Sequence, residues 1–103
     1  MKNCIVNSFF DLSGCLAWSG ENDIEFNGNY FGDVLTFEDT YFHNDLIFKN
    51  NKLIVGCDLV TEKQLACFYP ITSVIIDNYG IMNLSEQEEN KHWMRIRNMH
   101  NIK

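Results

Sequence analysis

The chain has 103 residues, 46% of them hydrophobic and 14% aromatic, and a formal net charge of −6. That length accommodates one domain with a single modest core, and the composition is far from that of a disordered chain. The acidity argues against direct nucleic-acid binding, and no apolar run approaches the length of a membrane span.

The charge is unevenly placed. Ten acids lie between Asp11 and Glu62 against two lysines, Lys49 and Lys52, and no cation stands between Lys2 and Lys49. The acids are interleaved with aromatic and β-branched residues, which predicts carboxylates on the wet face of a folded sheet. Such a surface repels phosphate and steers a basic partner.

From the N-terminus, residues 1–11 make a poor secretory signal, because Asn7 and Ser8 break the apolar segment and Asp11 stops it. Leu12-Ser13-Gly14-Cys15 has the form of a lipoprotein cleavage box without the apolar region that should precede it. The expectation is a cytoplasmic protein. The four cysteines, Cys4, Cys15, Cys57 and Cys67, form no CxxC pair and have no histidine at zinc-ligand spacing. They are expected to be free thiols behaving as small hydrophobes. Thirteen asparagines predict many tight turns.

Asp23-Ile24-Glu25-Phe26-Asn27 alternates, with Ile24 and Phe26 facing inward. Asn27-Gly28-Asn29 reads as a hairpin turn leading to a strand over 33–38, with Leu35 and Phe37 inward. Leu46 to Val55 reads as a second hairpin around Asn50-Asn51. Thr61 to Tyr69 is ambiguous and is taken as turn, then strand. Val74-Ile75-Ile76, apolar on both faces, predicts a central strand, with a turn at Asn78-Tyr79-Gly80. Ser85-Glu86-Gln87-Glu88 is a capping box, with acids at the start and Arg95, Arg97 and His100 at the end of a helix over about 86–99. No internal repeat stands out. The expected fold is α+β: a single domain, 1–103, with a mostly antiparallel sheet of about 6–8 short strands and one C-terminal helix.

Catalytic chemistry finds little purchase. His43, His92 and His100 lie in no recognisable motif, and there is no P-loop, Gly-x-Ser-x-Gly or GxGxxG. No calcium loop is present, because Asn22-Asp23-Ile24-Glu25 is too apolar. No cofactor, metal or catalytic residue is assigned. The basic C-terminal residues Lys91, Arg95, Arg97 and Lys103 are explained by the helix dipole. The leading expectation is therefore a non-enzymatic acidic protein that neutralises a basic protein partner, a profile shared by immunity proteins of bacterial nuclease toxins. The alternatives are a phage anti-defence inhibitor that mimics nucleic acid, and a small β-domain enzyme or ligand-binding module. The expected partner surface comprises Asp23, Glu25, Tyr30, Phe31, Asp33, Glu38, Asp39, Tyr41, Phe42 and Asp45, with the aromatics placed in turns. Membrane and direct nucleic-acid contacts are not expected.

Overall fold

The computed structural model describes residues 1–12, 23–60, 67–85, 87–92 and 94. Ten short strands run through them: β1 Ile5–Val6, β2 Phe10–Asp11, β3 Ile24–Asn27, β4 Tyr30–Phe31, β5 Leu35–Thr36, β6 Thr40–Tyr41, β7 Leu46–Lys49, β8 Lys52–Leu53, β9 Cys67–Phe68 and β10 Val74–Ile76. Every pairing among them is parallel. The expected antiparallel sheet is thereby corrected.

The register shows the architecture. Ile5 pairs with Tyr30 and Phe10 with Leu35, two pairings on different sheets that share one sequence offset. Ile24 with Leu46 and Tyr30 with Lys52 share a second, shorter offset. Ile47 with Val74 and Thr40 with Cys67 share a third, the longest. A common offset on two sheets at once means that the chain winds as a parallel β-solenoid, each turn stacking on the one before. The first face is the three-stranded sheet β3-β7-β10, and the second is β1-β4-β8. The third is β2-β5, extended by a bridge from Leu35 to Cys57, and the fourth is β6-β9.

The corners explain why hairpins were expected. Asn3, Gly28, Asn50 and Asp77 all have positive φ, between 52° and 73°. The register places them at one corner on four successive turns. Asn, Asp and Gly tolerate this left-handed backbone, and a primed hairpin turn makes the same demand. Here the corner turns the chain from the first face to the second instead of reversing it. Thus β7 and β8, read as hairpin arms around Asn50-Asn51, belong to different sheets. The same holds for β3 and β4 around Gly28. The unrecognised repeat is Ile24-Glu25-Phe26-Asn27-Gly28-Asn29, Leu46-Ile47-Phe48-Lys49-Asn50-Asn51 and Ser73-Val74-Ile75-Ile76-Asp77-Asn78.

The residue after each corner forms a buried ladder. The Asn51 Oδ1 accepts the Asn29 backbone N–H and the Asn29 Nδ2, both at 3.0 Å. The Asn51 Nδ2 donates to the Phe26 carbonyl and to Asn78 Oδ1, again both at 3.0 Å. All four side-chain valences of Asn51 are used, which is what a buried amide requires. The pattern continues at both ends: Cys4 N–H donates to Asn29 Oδ1, and Asn78 Nδ2 donates to the Phe48 carbonyl.

Inside the coil, Phe26, Phe31, Leu35, Phe37, Phe42, Leu46, Phe48 and Leu53 form the core with Cys57, Leu59 and Cys67. Phe37 meets Phe26 and Phe48 edge-on, at 5.9 and 6.0 Å between ring centroids. Two further expectations change. Val74–Ile76 is an edge strand, not a central one, and its outward Val74 and Ile76 remain exposed. Asp58, counted among the surface acids, is buried; it accepts the Thr36 Oγ1 at 2.8 Å and the Phe37 N–H at 2.7 Å. Helix is described over 87–92 and at 94, with Ser85 Oγ accepting the Glu88 N–H at 3.2 Å as its cap. The remainder of the expected 86–99 span, and residues 61–66 of the ambiguous segment, lie outside the described residues.

The ladder generates a stability prediction. Asn51→Leu removes two donors and an acceptor from buried partners, and each orphaned group costs about 1–3 kcal/mol. Urea unfolding should show a loss of about 3 kcal/mol or more. Asn50→Gly, at the exposed positive-φ corner next door, should change stability by only a few tenths.

Candidate interaction face

The register turns sequence distance into position around the coil. Because β3 and β7 are one turn apart, the segment from Asp23 to Asp45 is a complete circuit of the solenoid. The ten residues expected to form one surface are therefore distributed around all four faces. Glu25 lies on the first face, Tyr30 on the second, and Asp33 at the corner before the third. Phe31 and Phe42 are 1% and 0% exposed, inside the core, and offer a partner no surface. Their aromatic character fills the lumen.

Five of the expected residues come together about the fourth face. Glu38 and Asp39 are exposed at the turn that enters it, where Thr40 N–H closes onto the Phe37 carbonyl at 2.9 Å. Asp39 adopts φ 57°, a conformation that an aspartate accepts more readily than most residues. Tyr41 projects from the strand itself. Asp45 and Asp23 stand at the corner that leaves the face. Ile24 N–H bonds the Asp45 carbonyl, so these two aspartates occupy adjacent turns. The Asp45 carboxylate also accepts the Thr72 hydroxyl.

The centre of the face is aromatic. Tyr41 and Phe68 are register partners on β6 and β9, and their rings stack at 4.5 Å with an interplanar angle of 11°. Both remain accessible, at 39% and 51%. His43, also exposed, packs against Tyr41 at 4.7 Å. A turn closed by Ser73 N–H and the Pro70 carbonyl holds Ile71 wholly exposed beside them. Between Phe68 and Ile71 opens a cavity of about 400 Å³, lined also by Cys67 and Tyr69. Phe68, Tyr69 and Ile71 were not among the expected site residues. The available signal was the alignment of Thr40-Tyr41 with Cys67-Phe68, which is visible only once the turn length is known.

Burial holds the thiols here in their protonated form at neutral pH. Burial pushes Cys67 up to about 12, helped by the nearby Asp58 carboxylate. Burial likewise raises Cys57 to about 12; a hydrogen bond from the Leu59 backbone opposes the rise, while Asp58, Glu89 and Cys67 add to it. Tyr69 is raised by the same desolvation and by Cys67. Cys4, Cys57 and Cys67 are free, and Cys15 lies outside the described residues. Among the described residues no group of three His, Cys, Asp or Glu side chains is placed to hold a metal ion. No described helix is long and apolar enough to cross a membrane.

Raised thiol values link stability to alkali. The folded chain keeps its protons on Cys57 and Cys67 to about 12, whereas an unfolded cysteine loses its proton near 9.0. Above that value the unfolded state binds fewer protons, so stability falls as pH rises. The contribution is intact below pH 9.0 and is lost between there and about 12. Denaturation curves taken across this window should show the decline, and Cys57→Ala should flatten it. Alkylation of native protein at about pH 8 should label Cys4 well ahead of Cys57 and Cys67.

Comparison with known proteins identifies no relative: the chain matches no family model, no curated protein and no solved structure.

Proposed function

We propose that this is a non-enzymatic, cytoplasmic binding protein that neutralises a basic protein partner, acting as an immunity protein toward a nuclease-type bacterial toxin, and that the partner docks on the fourth face. The stacked and accessible Tyr41–Phe68 pair, bordered by Glu38 and Asp39 on one side and by Asp23 and Asp45 on the other, carries this reading. The physical division of labour is familiar from protein interfaces. Carboxylates around the rim accelerate encounter with a cationic surface, while aromatics that become desolvated supply most of the affinity. Rings already stacked in the free protein lose little conformational freedom on binding, which favours affinity further. Ile71 and the neighbouring cavity add an apolar projection and an apolar recess within the same footprint.

A second reading, a phage anti-defence inhibitor that imitates nucleic acid, is favoured by a different observation. The acids of the second turn are spread around the circumference, so the negative potential extends beyond one face. The two readings differ in which residues matter. A docked face depends on a few aromatics, whereas a mimic depends on total charge.

The test begins with isolation of the partner from source cells, followed by stopped-flow binding. Glu38→Lys with Asp39→Asn should slow association and weaken its salt dependence. Tyr41→Ala or Phe68→Ala should instead speed dissociation, at a cost of about 2 kcal/mol if these rings are anchors. Tyr79→Ala, on the second face, should leave both rates unchanged. Equal effects from charge changes on every face, with no effect from Tyr41 or Phe68, would replace docking by mimicry.

A further inference from the structure

The solenoid has a second feature that the fourth face does not use. At the end where β3 and β2 are the edge strands of the first and third faces, the lumen opens into a cavity of about 480 Å³. Its wall is made by Phe10, Leu12, Ile24 and Phe26, and Asp23 and Glu25 also line it. Met1 completes the lining, with its ammonium donating to the Glu25 carbonyl at 2.8 Å. The four apolar wall residues belong to the hydrophobic core or pack against it, so the cavity is continuous with the core. The volume and the lining, mostly apolar with a few polar groups, are those of small-molecule sites.

The two carboxylates differ in availability. Glu25 is engaged: its Oε1 lies 3.6 Å from the Lys2 Nζ, and its Oε2 accepts the Asn27 Nδ2 at 3.3 Å. Asp23 is exposed and has no ion pair among the described residues. An apolar recess beside a carboxylate with no ion pair among the described residues selects by charge as well as by shape. The Met1 ammonium is turned to the Glu25 carbonyl, so at the Asp23 side of the recess a neutral ligand gains only burial, whereas a cation gains burial and an ion pair together. The rings of Phe10 and Phe26 suit an aromatic guest, which can meet them edge-to-face.

We propose that this cavity binds an aromatic or aliphatic amine, with its apolar group in the lumen among Phe10, Leu12, Ile24 and Phe26 and its ammonium against Asp23. The proposal shares only Asp23 with the border of the fourth face, and because its apolar wall lies in the lumen it survives the loss of any protein partner. It is tested by titrating the full chain with 2-phenylethylammonium, 2-phenylethanol and 3-phenylpropanoate, following the amide signals by two-dimensional NMR. The expected result is that the amine shifts the Leu12, Ile24 and Phe26 amides most strongly, the alcohol binds more weakly and the carboxylate weakest. Asp23→Asn should weaken the amine roughly three- to fivefold and leave the alcohol unchanged, as a partly exposed ion pair implies. Asp77→Asn, which removes an exposed carboxylate from the last turn, should leave the amine's affinity as it was. The proposal is overturned if none of the three probes moves those amides, if all bind equally well, or if Asp23→Asn and Asp77→Asn act alike.

Discussion

The asparagine ladder is the constraint on which the rest of this structure depends. A parallel stack of such short strands has few backbone bonds per turn to define its register. A slip of one position would send every inward side chain outward. The Asn29–Asn51–Asn78 column removes that freedom, since each amide is read by the backbone of one turn and by the side chain of the next. A slipped register would bury these amides without partners, at a cost several times that of a lost surface contact. With the ladder in place, Phe26 falls over Phe48 and Phe31 over Leu53, and the lumen packs. The positive-φ residue just before each rung directs the ladder side chain inward, so that backbone conformation and polar satisfaction support the same arrangement.

Much of the local structure was legible in the sequence, while its long-range partners were not. Alternation located β3 and β5 and identified Phe26, Leu35 and Phe37 as inward, while apolar runs located β7, β8 and β10. Gly28 and Asn50 were recognised as left-handed turn residues. What alternation and turn chemistry cannot specify is whether a turn reverses the chain or bends it onto a new face. Both solutions use the same residues, and hairpins are the commoner. The sign against hairpins was the recurrence of an apolar-x-apolar segment followed by a corner and an asparagine. It was obscured because successive turns differ in length: the steps from Ile5 to Tyr30, from Ile24 to Leu46 and from Ile47 to Val74 are all unequal, so no fixed period emerges. The length differences are absorbed elsewhere on the circumference. Val74–Ile76 misled for a related reason. Apolar residues on both sides normally mark a central strand, but here the outward pair stays in solvent at the end of a sheet.

The candidate face shows the same limit. Its charges could be found from sequence because charge is a property of single residues. Asp23, Glu38, Asp39 and Asp45 were all named, and Tyr41 with them. Phe68 could not be, since its significance comes from lying over Tyr41, a full turn earlier in the chain. Conversely, Phe31 and Phe42 were assigned to the surface because they neighbour tyrosines in segments taken for turns. Along extended backbone, adjacent positions face opposite ways. Tyr30 and Tyr41 therefore point out while Phe31 and Phe42 point in, and the phenolic hydroxyl is the chemical sign of that division.

A solenoid also separates what folds the chain from what the chain presents. The inward positions and the ladder are coupled from turn to turn, so a change at one is felt by its neighbours above and below. The outward positions share no such constraint. On the second face the outward column reads Ile5, Tyr30, Lys52 and Tyr79; on the first it reads Glu25, Ile47 and Val74. No single chemistry runs down either column. On the fourth face, by contrast, two outward residues on adjacent turns are both aromatic and lie flat against each other while remaining accessible. The core does not need them there, because their chain neighbours Phe42 and Cys67 are the buried residues that belong to it. Exposed rings cost solubility and contribute little to folding when much of their surface stays wet. Their pairing, inside a border of carboxylates, is therefore better explained by what the face meets than by what it covers.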